Sequence, residues 1–228
     1  MKYTNVFIDL DRTLWDFEAN SRETFQEIFL SYHLNNFCNF EDYYPYYRTI
    51  NDNLWKEYRE GKIGKELLSW KRFYLTNLHF GLDDKQIAQA MGEAYIILSP
   101  EKTGLFPYTH ELLDYLKSKY RLFLITNGFK EVQYKKLTNC KLDHYFNAVF
   151  TSEEVGYNKP DRRYFEFVLA QTDSSPSNSI VIGDDQEVDI KGALSLSIDS
   201  IWINTNSEKS NIKSTFEVKN LKEIFPIL

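Results

Sequence analysis

The segment Asn5-Val6-Phe7-Ile8-Asp9-Leu10-Asp11 restricts the architecture of this chain more than any other. It is a short, nearly continuous apolar run that closes on two carboxylates. Such a run, without polar alternation, predicts a strand covered on both faces, as in parallel sheets layered between helices. Asp9 stands inside the run, where a carboxylate is costly to bury without a hydrogen-bonding partner, a counter-charge or a metal. The strand itself supplies none of these.

Four more segments have the same apolar character, at 122–126, 148–151, 179–183 and 200–203. Helical patterns at 108–118, 129–139, 161–171 and 187–196 fall between them. Strands alternating with helices predict an α/β fold, a doubly wound parallel sheet of Rossmann-like type. The stretch 16–98 breaks that rhythm. Ile87, Met91, Ala94, Tyr95 and Leu98 recur at helical spacing behind a capping-box pattern at Asp83 and Gln86. Ile50, Leu54 and Tyr58 do the same earlier, and Gly61-Lys62-Ile63-Gly64 reads as a turn between helices. These features predict an inserted all-helical domain at 16–98 and an α/β core made of 1–15 and 99–228. Aromatic residues of the insert, including Phe25, Phe29, Tyr32, Trp55, Trp70 and Phe73, are expected to form its own core. The run Asn204-Thr205-Asn206-Ser207 is expected to be a surface loop.

Charge and composition remove several classes of partner. A formal charge of -6 leaves no cationic excess to neutralise a nucleic-acid backbone. A small phosphorylated molecule, whose charge is met locally, remains open. Cys38 and Cys140 are too few for a disulfide framework and suit a reducing cytosol. No apolar run has the length of a signal peptide core or a membrane span, so a soluble, cytoplasmic protein without a membrane partner is expected, a monomer or a homodimer, between which the sequence does not choose. His33, His79, His110 and His144 lack ligand spacing, and zinc is not expected.

Open parallel sheets bind ligands outside the carboxyl ends of their strands. Asp9 and Asp11 end the first predicted strand, and Thr126-Asn127-Gly128 ends the second. Lys159-Pro160 follows the third, and Gly183-Asp184-Asp185 ends the fourth. Apart from Asp9, each piece alone has an ordinary explanation, a turn or a solvated lysine before a helix. Together they bring carboxylates, a hydroxyl and an ammonium to one edge of the sheet.

Taken in order, Asp9-Leu10-Asp11-Arg12-Thr13-Leu14, Thr126-Asn127-Gly128, Lys159-Pro160 and Gly183-Asp184-Asp185 through Asp189 resemble the four motifs of haloacid dehalogenase-like hydrolases. The helical insert occupies the place of that family's first-type cap. Thr13-Leu14-Trp15-Asp16-Phe17 and Thr126-Asn127-Gly128-Phe129 are similar to the subgroup of bacterial pyrimidine 5'-nucleotidases. The resemblance implies a Mg²⁺-dependent phosphatase in which Asp9 is the nucleophile and Asp11 the general acid and base. It gives Thr126, the Asn127 backbone and Lys159 the phosphoryl oxygens, with Lys159 also neutralising Asp9. It gives the metal to the carboxylates of Asp9 and Asp184 and the backbone carbonyl of Asp11. Asp185 is a ligand or a neighbour, and Asp189 either supports the metal from behind or is a helix-face carboxylate. Thr13 is expected to order the loop after the nucleophile, and Arg12 to be a solvated loop residue. The implied substrates are pyrimidine nucleoside 5'-monophosphates, the alternative being a sugar phosphate or flavin precursor. A phosphomutase, a dehalogenase and a catalytically silent binding module stand further off. A dehalogenase has no use for an acid at Asp11.

Overall fold

The computed structural model describes residues 2–228, which divide into two compact units. One runs to Phe17 and resumes at Thr103–Leu228; the other is Glu18–Lys102. The boundaries read from the sequence lay at 15/16 and 98/99.

The Glu18–Lys102 unit is built on α1 (Phe17–Ser31), α2 (Phe40–Arg59), α3 (Lys65–His79) and α4 (Lys85–Leu98). Phe25, Phe29, Tyr43, Tyr47, Phe73 and Met91 are buried together in its core, with Tyr32 packed at the margin. The Phe25 ring lies 3.9 Å from that of Tyr47 and 5.4 Å from that of Phe73. Trp55 and Trp70 depart from expectation. Both are half-buried outside this cluster, beside Tyr58 and Tyr74 respectively. The cap of α4 also sits one residue later than the pattern indicated. The Asp84 carboxylate accepts from the N–H groups of Gln86 and Ile87, while Asp83 accepts from the Tyr74 hydroxyl.

The other unit is a six-stranded parallel sheet. Its strands are β1 (Asn5–Ile8), β2 (Arg121–Thr126), β3 (Ala148–Thr151), β4 (Ser179–Gly183), β5 (Asp199–Ile203) and β6 (Phe216–Val218), in the order β3-β2-β1-β4-β5-β6. β6 escapes a sequence reading because it is three residues long, lies at the sheet edge and exposes Phe216 and Glu217. Side chains alternate across the strands and build two cores. Val6, Ile8, Leu122, Leu124, Ile180 and Ile182 meet α5 (Thr109–Lys117) and α6 (Lys130–Asn139) through Leu112, Leu113, Leu116 and Leu137. Phe7, Phe123, Ile125 and Val181 on the opposite face share a cluster with Val155 of the one-turn α7 (Ser152–Val155), with Tyr164, Phe165 and Val168 of α8 (Arg162–Gln171), and with Ala193 of α9 (Lys191–Leu194). Helices therefore cover both faces, as the apolar runs required.

The strand order reverses between β1 and β4, and crevices at such points take ligands. Asn204, expected on the surface, is instead buried at the end of β5. Its side-chain amide donates to the Glu208 carbonyl and the Glu217 carboxylate. Among the described residues no helix is long and apolar enough to cross a membrane.

Candidate active site

The ladder of β1 continues one residue past the strand, where the Asp9 N–H donates to the Ile182 carbonyl at 2.9 Å. The chain then folds back on itself. The Leu10 carbonyl accepts from the N–H groups of Thr13, Leu14 and Trp15, and Arg12 takes a left-handed conformation with φ 65. The Arg12 guanidinium lies 4.3 Å from the centre of the Phe17 ring, so this residue is stacked and half-buried rather than simply solvated. The reversal separates the environments of Asp9 and Asp11. Asp9 is buried, whereas Asp11 is half-buried and bonded elsewhere.

Lys159 is 1% exposed and spends all three of its ammonium protons within the site. It donates to Asp9 at 2.7 Å, to Asp189 at 2.6 Å and to the Ile125 carbonyl at 2.9 Å. Its backbone is clamped by the side chain of Asn127, whose Oδ1 accepts from the Lys159 N–H and whose Nδ2 donates to the Lys159 carbonyl. The sequence reading gave Asn127 a backbone role only; the structure adds that its side chain places Lys159.

Asp9, Asp184 and Asp189 each bring a carboxylate oxygen within 4.8 Å of the other two. Asp184 follows β4, and its carbonyl accepts from the Trp202 indole at 2.8 Å. Its carboxylate takes a long bond, 3.4 Å, from the buried Thr13 hydroxyl. Asp189 lies on a π-helical turn, Gln186–Ile190, a widened geometry that often marks functional positions. That turn is capped by the Asp185 side chain, which accepts from the N–H groups of Glu187 and Val188. Asp185 thus faces its own backbone, while Asp189 is buried within the cluster. The Asp11 carboxylate lies outside it, paired with Lys136.

Electrostatics set this cluster apart from a structural ion pair. Burial raises Asp9 to about 7; Lys159 pulls it down and the Asp189 charge pushes it up. Burial, followed by the Asp9 and Asp189 charges, holds Asp184 well above the usual carboxylate range. Asp189 is also raised, burial outweighing the pull of Lys159. Burial would lower the Lys159 ammonium, but Asp189 and Asp9 overcome it and the net shift is upward. The three carboxylates have one ammonium among them, bonded to Asp9 and Asp189 but not to Asp184, and a divalent cation is their natural charge complement. An all-oxygen donor set suits a hard cation such as Mg²⁺.

A second set of polar groups is arranged around Thr126. Its hydroxyl oxygen accepts from the Gly128 N–H at 3.0 Å and from the Gln133 amide at 2.6 Å, so its own proton is left to donate to a ligand. Its N–H bonds the Tyr164 hydroxyl, which donates to the Phe150 carbonyl and anchors the end of β2. Asp11 is held by two residues the sequence reading missed. Lys136 donates to its Oδ1 at 2.5 Å and Gln133 to its Oδ2 at 2.9 Å. A signal for both existed. Phe129, Val132, Gln133, Lys136, Leu137 and Cys140 recur at the spacing of a buried helical stripe, and two of them are polar.

The family model for haloacid dehalogenase-like hydrolases matches residues 6–203. The chain belongs to this family. A solved structure of the HAD-hydrolase YfnB from Bacillus subtilis, bound to magnesium, is similar at a TM-score of 0.92 and 28% identity, covering 100% of this chain and 99% of that one. Two pyrimidine 5'-nucleotidases, PynA of Streptococcus pneumoniae and YjjG of Escherichia coli, are each 29% identical over 232 residues. Those matches span 100% of this chain and 96% and 99% of the respective relatives.

Proposed function

We propose that this haloacid dehalogenase-like hydrolase is a Mg²⁺-dependent phosphomonoesterase that carries the phosphoryl group on Asp9, with pyrimidine nucleoside 5'-monophosphates as substrates. The observation that carries the reading is Asp9 itself, a buried carboxylate at the β1/β4 crevice, bonded to Lys159 and clustered with Asp184 and Asp189. Carboxylate attack splits one difficult displacement into two easier ones. Asp9 attacks phosphorus, the bond to the leaving oxygen breaks, and Asp11 gives that oxygen a proton. Water then attacks phosphorus, Asp11 takes back its proton, and the bond to Asp9 breaks to release phosphate. Thr126 and the Asn127 N–H hold the phosphoryl oxygens as charge redistributes among them, and Lys159 joins them by giving up its bond to Asp9 when that carboxylate takes the phosphoryl group.

Held by Asp9, Asp184 and the Asp11 carbonyl, Mg²⁺ would offset the repulsion between a carboxylate and a phosphate dianion. Asp189 has a donor on each oxygen, Lys159 on one and the Asp185 N–H at 3.3 Å on the other. Its role is therefore to orient Lys159. The substrate assignment rests on similarity to PynA and YjjG. Hydrolysis of p-nitrophenyl phosphate with Mg²⁺, its loss in EDTA and its loss in Asp9→Asn test the chemistry. A panel of phosphorylated metabolites tests the substrate. Sugar phosphates turned over far faster than every nucleotide would overturn that assignment and leave the chemistry standing.

A further inference from the structure

Helix α6 places an amide and an ammonium where its packing calls for apolar side chains. Gln133 is 0% exposed and Lys136 3%, between Val132 and Leu137 on the same stripe. Burial of such groups is unfavourable unless their hydrogen-bonding capacity is met. Both reach the same residue. Lys136 donates to one oxygen of Asp11 and Gln133 to the other, at 2.5 Å and 2.9 Å. The Lys136 ammonium also lies 3.8 Å from the centre of the Trp15 ring, a cation–π contact that fixes the cation from a second side. Gln133 Nε2 bonds Thr126 as well as Asp11, and so touches the acid–base side and the phosphate side of the site together. Room for it comes from Gly128, where a Cβ would fall 2.4 Å from the Gln133 side chain.

With a buried donor on each oxygen, rotation of the Asp11 carboxylate breaks a hydrogen bond, so the two together favour one orientation. We propose that Lys136 and Gln133 are positioning residues that hold the Asp11 carboxylate for proton transfer to the leaving group, with Gln133 registering it against the Thr126 hydroxyl. The inference rests on the assignment of Asp11 as acid and base. Neither residue touches the reacting atoms; each acts through Asp11.

The test compares kcat/KM, which reports the steps up to leaving-group release, for two substrates. p-Nitrophenolate leaves with little protonation, whereas the alkoxide of UMP needs a proton. If wild-type protein leaves UMP untouched, glycerol 2-phosphate serves as the alkyl substrate. Lys136→Met should lower kcat/KM for the alkyl phosphate by roughly 10–100-fold, a part of the 10²–10⁴ general acid–base contribution, and change p-nitrophenyl phosphate by less than about threefold. In an Asp11→Asn background it should cost nothing further, since the group it positions is gone. Gln133→Met, judged folded by circular dichroism, also frees Thr126 and should slow both substrates, the alkyl phosphate by roughly tenfold more; that excess, absent in the Asp11→Asn background, carries the test if Lys136→Met does not fold. Equal losses on both substrates that multiply with Asp11→Asn would make these residues structural and overturn the proposal. If Asp11→Asn itself affects both substrates alike, the acid–base assignment fails first, a result distinguishable because it appears without any change at Lys136.

Discussion

A Cβ at Gly183 would fall 2.4 Å from Oδ2 of Asp189. The glycine ending β4 is required for space, because the Asp189 carboxylate lies against the strand on its way to Lys159. Gly183→Ala should therefore displace Asp189 and leave Lys159 poorly oriented. Overpacking of this kind costs about 1–3 kcal/mol. A urea melt should show that loss, with kcat/KM falling about as far as in Asp189→Asn. Wild-type kinetics in a folded Gly183→Ala protein would mean that Asp189 does not set the position of Lys159.

Burial, with carboxylate crowding behind it, should make metal binding at this cluster pH-dependent. Asp9 is raised to about 7 in the fold, against about 3.9 when unfolded. Between those values the native state keeps a proton the unfolded state has lost, so the Asp9 contribution to stability declines as pH rises through the window. Lys159, raised, stays protonated throughout. A divalent cation bound there would replace the proton. Mg²⁺ should accordingly raise Tm strongly at pH 8 and little at pH 5. An equal shift at both values would contradict the assignment of the cluster as its site.

Removing the shared ammonium exposes the same balance from the other side. Lys159→Met leaves Asp9 and Asp189 without their common partner, and breaking a buried ion pair costs roughly 3–5 kcal/mol. Urea denaturation should find that penalty at pH 8 and a smaller one at pH 5, where Asp9, raised to about 7, is protonated. A penalty independent of pH would show that lost packing, not lost charge, dominates.

In the helical unit, the cap of α4 is a direct point of difference between pattern and geometry. Asp84→Ala should destabilise that unit by about 1 kcal/mol, the usual value of an N-cap, and Asp83→Ala by less than about 0.5. The reverse ranking in chemical denaturation would restore Asp83 as the cap.

The parts legible in sequence were those carried by local rules. A buried strand must be apolar, so β1 to β5 could be read from composition and length. A carboxylate inside an apolar run needs a partner, so Asp9, one residue past β1, identified itself. β6 was not legible, because Phe216-Glu217-Val218 pairs on one side only and carries no buried pattern of its own. Asp84 was missed because the capping-box pattern fits Asp83 with Gln86, while Ile87 stands three residues after Asp84, and only backbone geometry makes Asp84 the cap. Gln133 and Lys136 were missed for a different reason. Their partner, Asp11, is more than a hundred residues away, and only the packing of α6 against the end of β1 joins them. The clamp of Asn127 on Lys159 is hidden in the same way, since both sides of it belong to separate loops.

The central claim is that the phosphoryl group passes through Asp9. Asp11→Asn with p-nitrophenyl phosphate and Mg²⁺ tests it most directly, because the first step needs little protonation while the second still needs a base. Rapid-quench mass spectrometry should find a burst of p-nitrophenol near one equivalent of enzyme, slow turnover after it, and phosphate on the peptide that contains Asp9. Turnover without a burst, and with no phosphate on that peptide at any time, would contradict it.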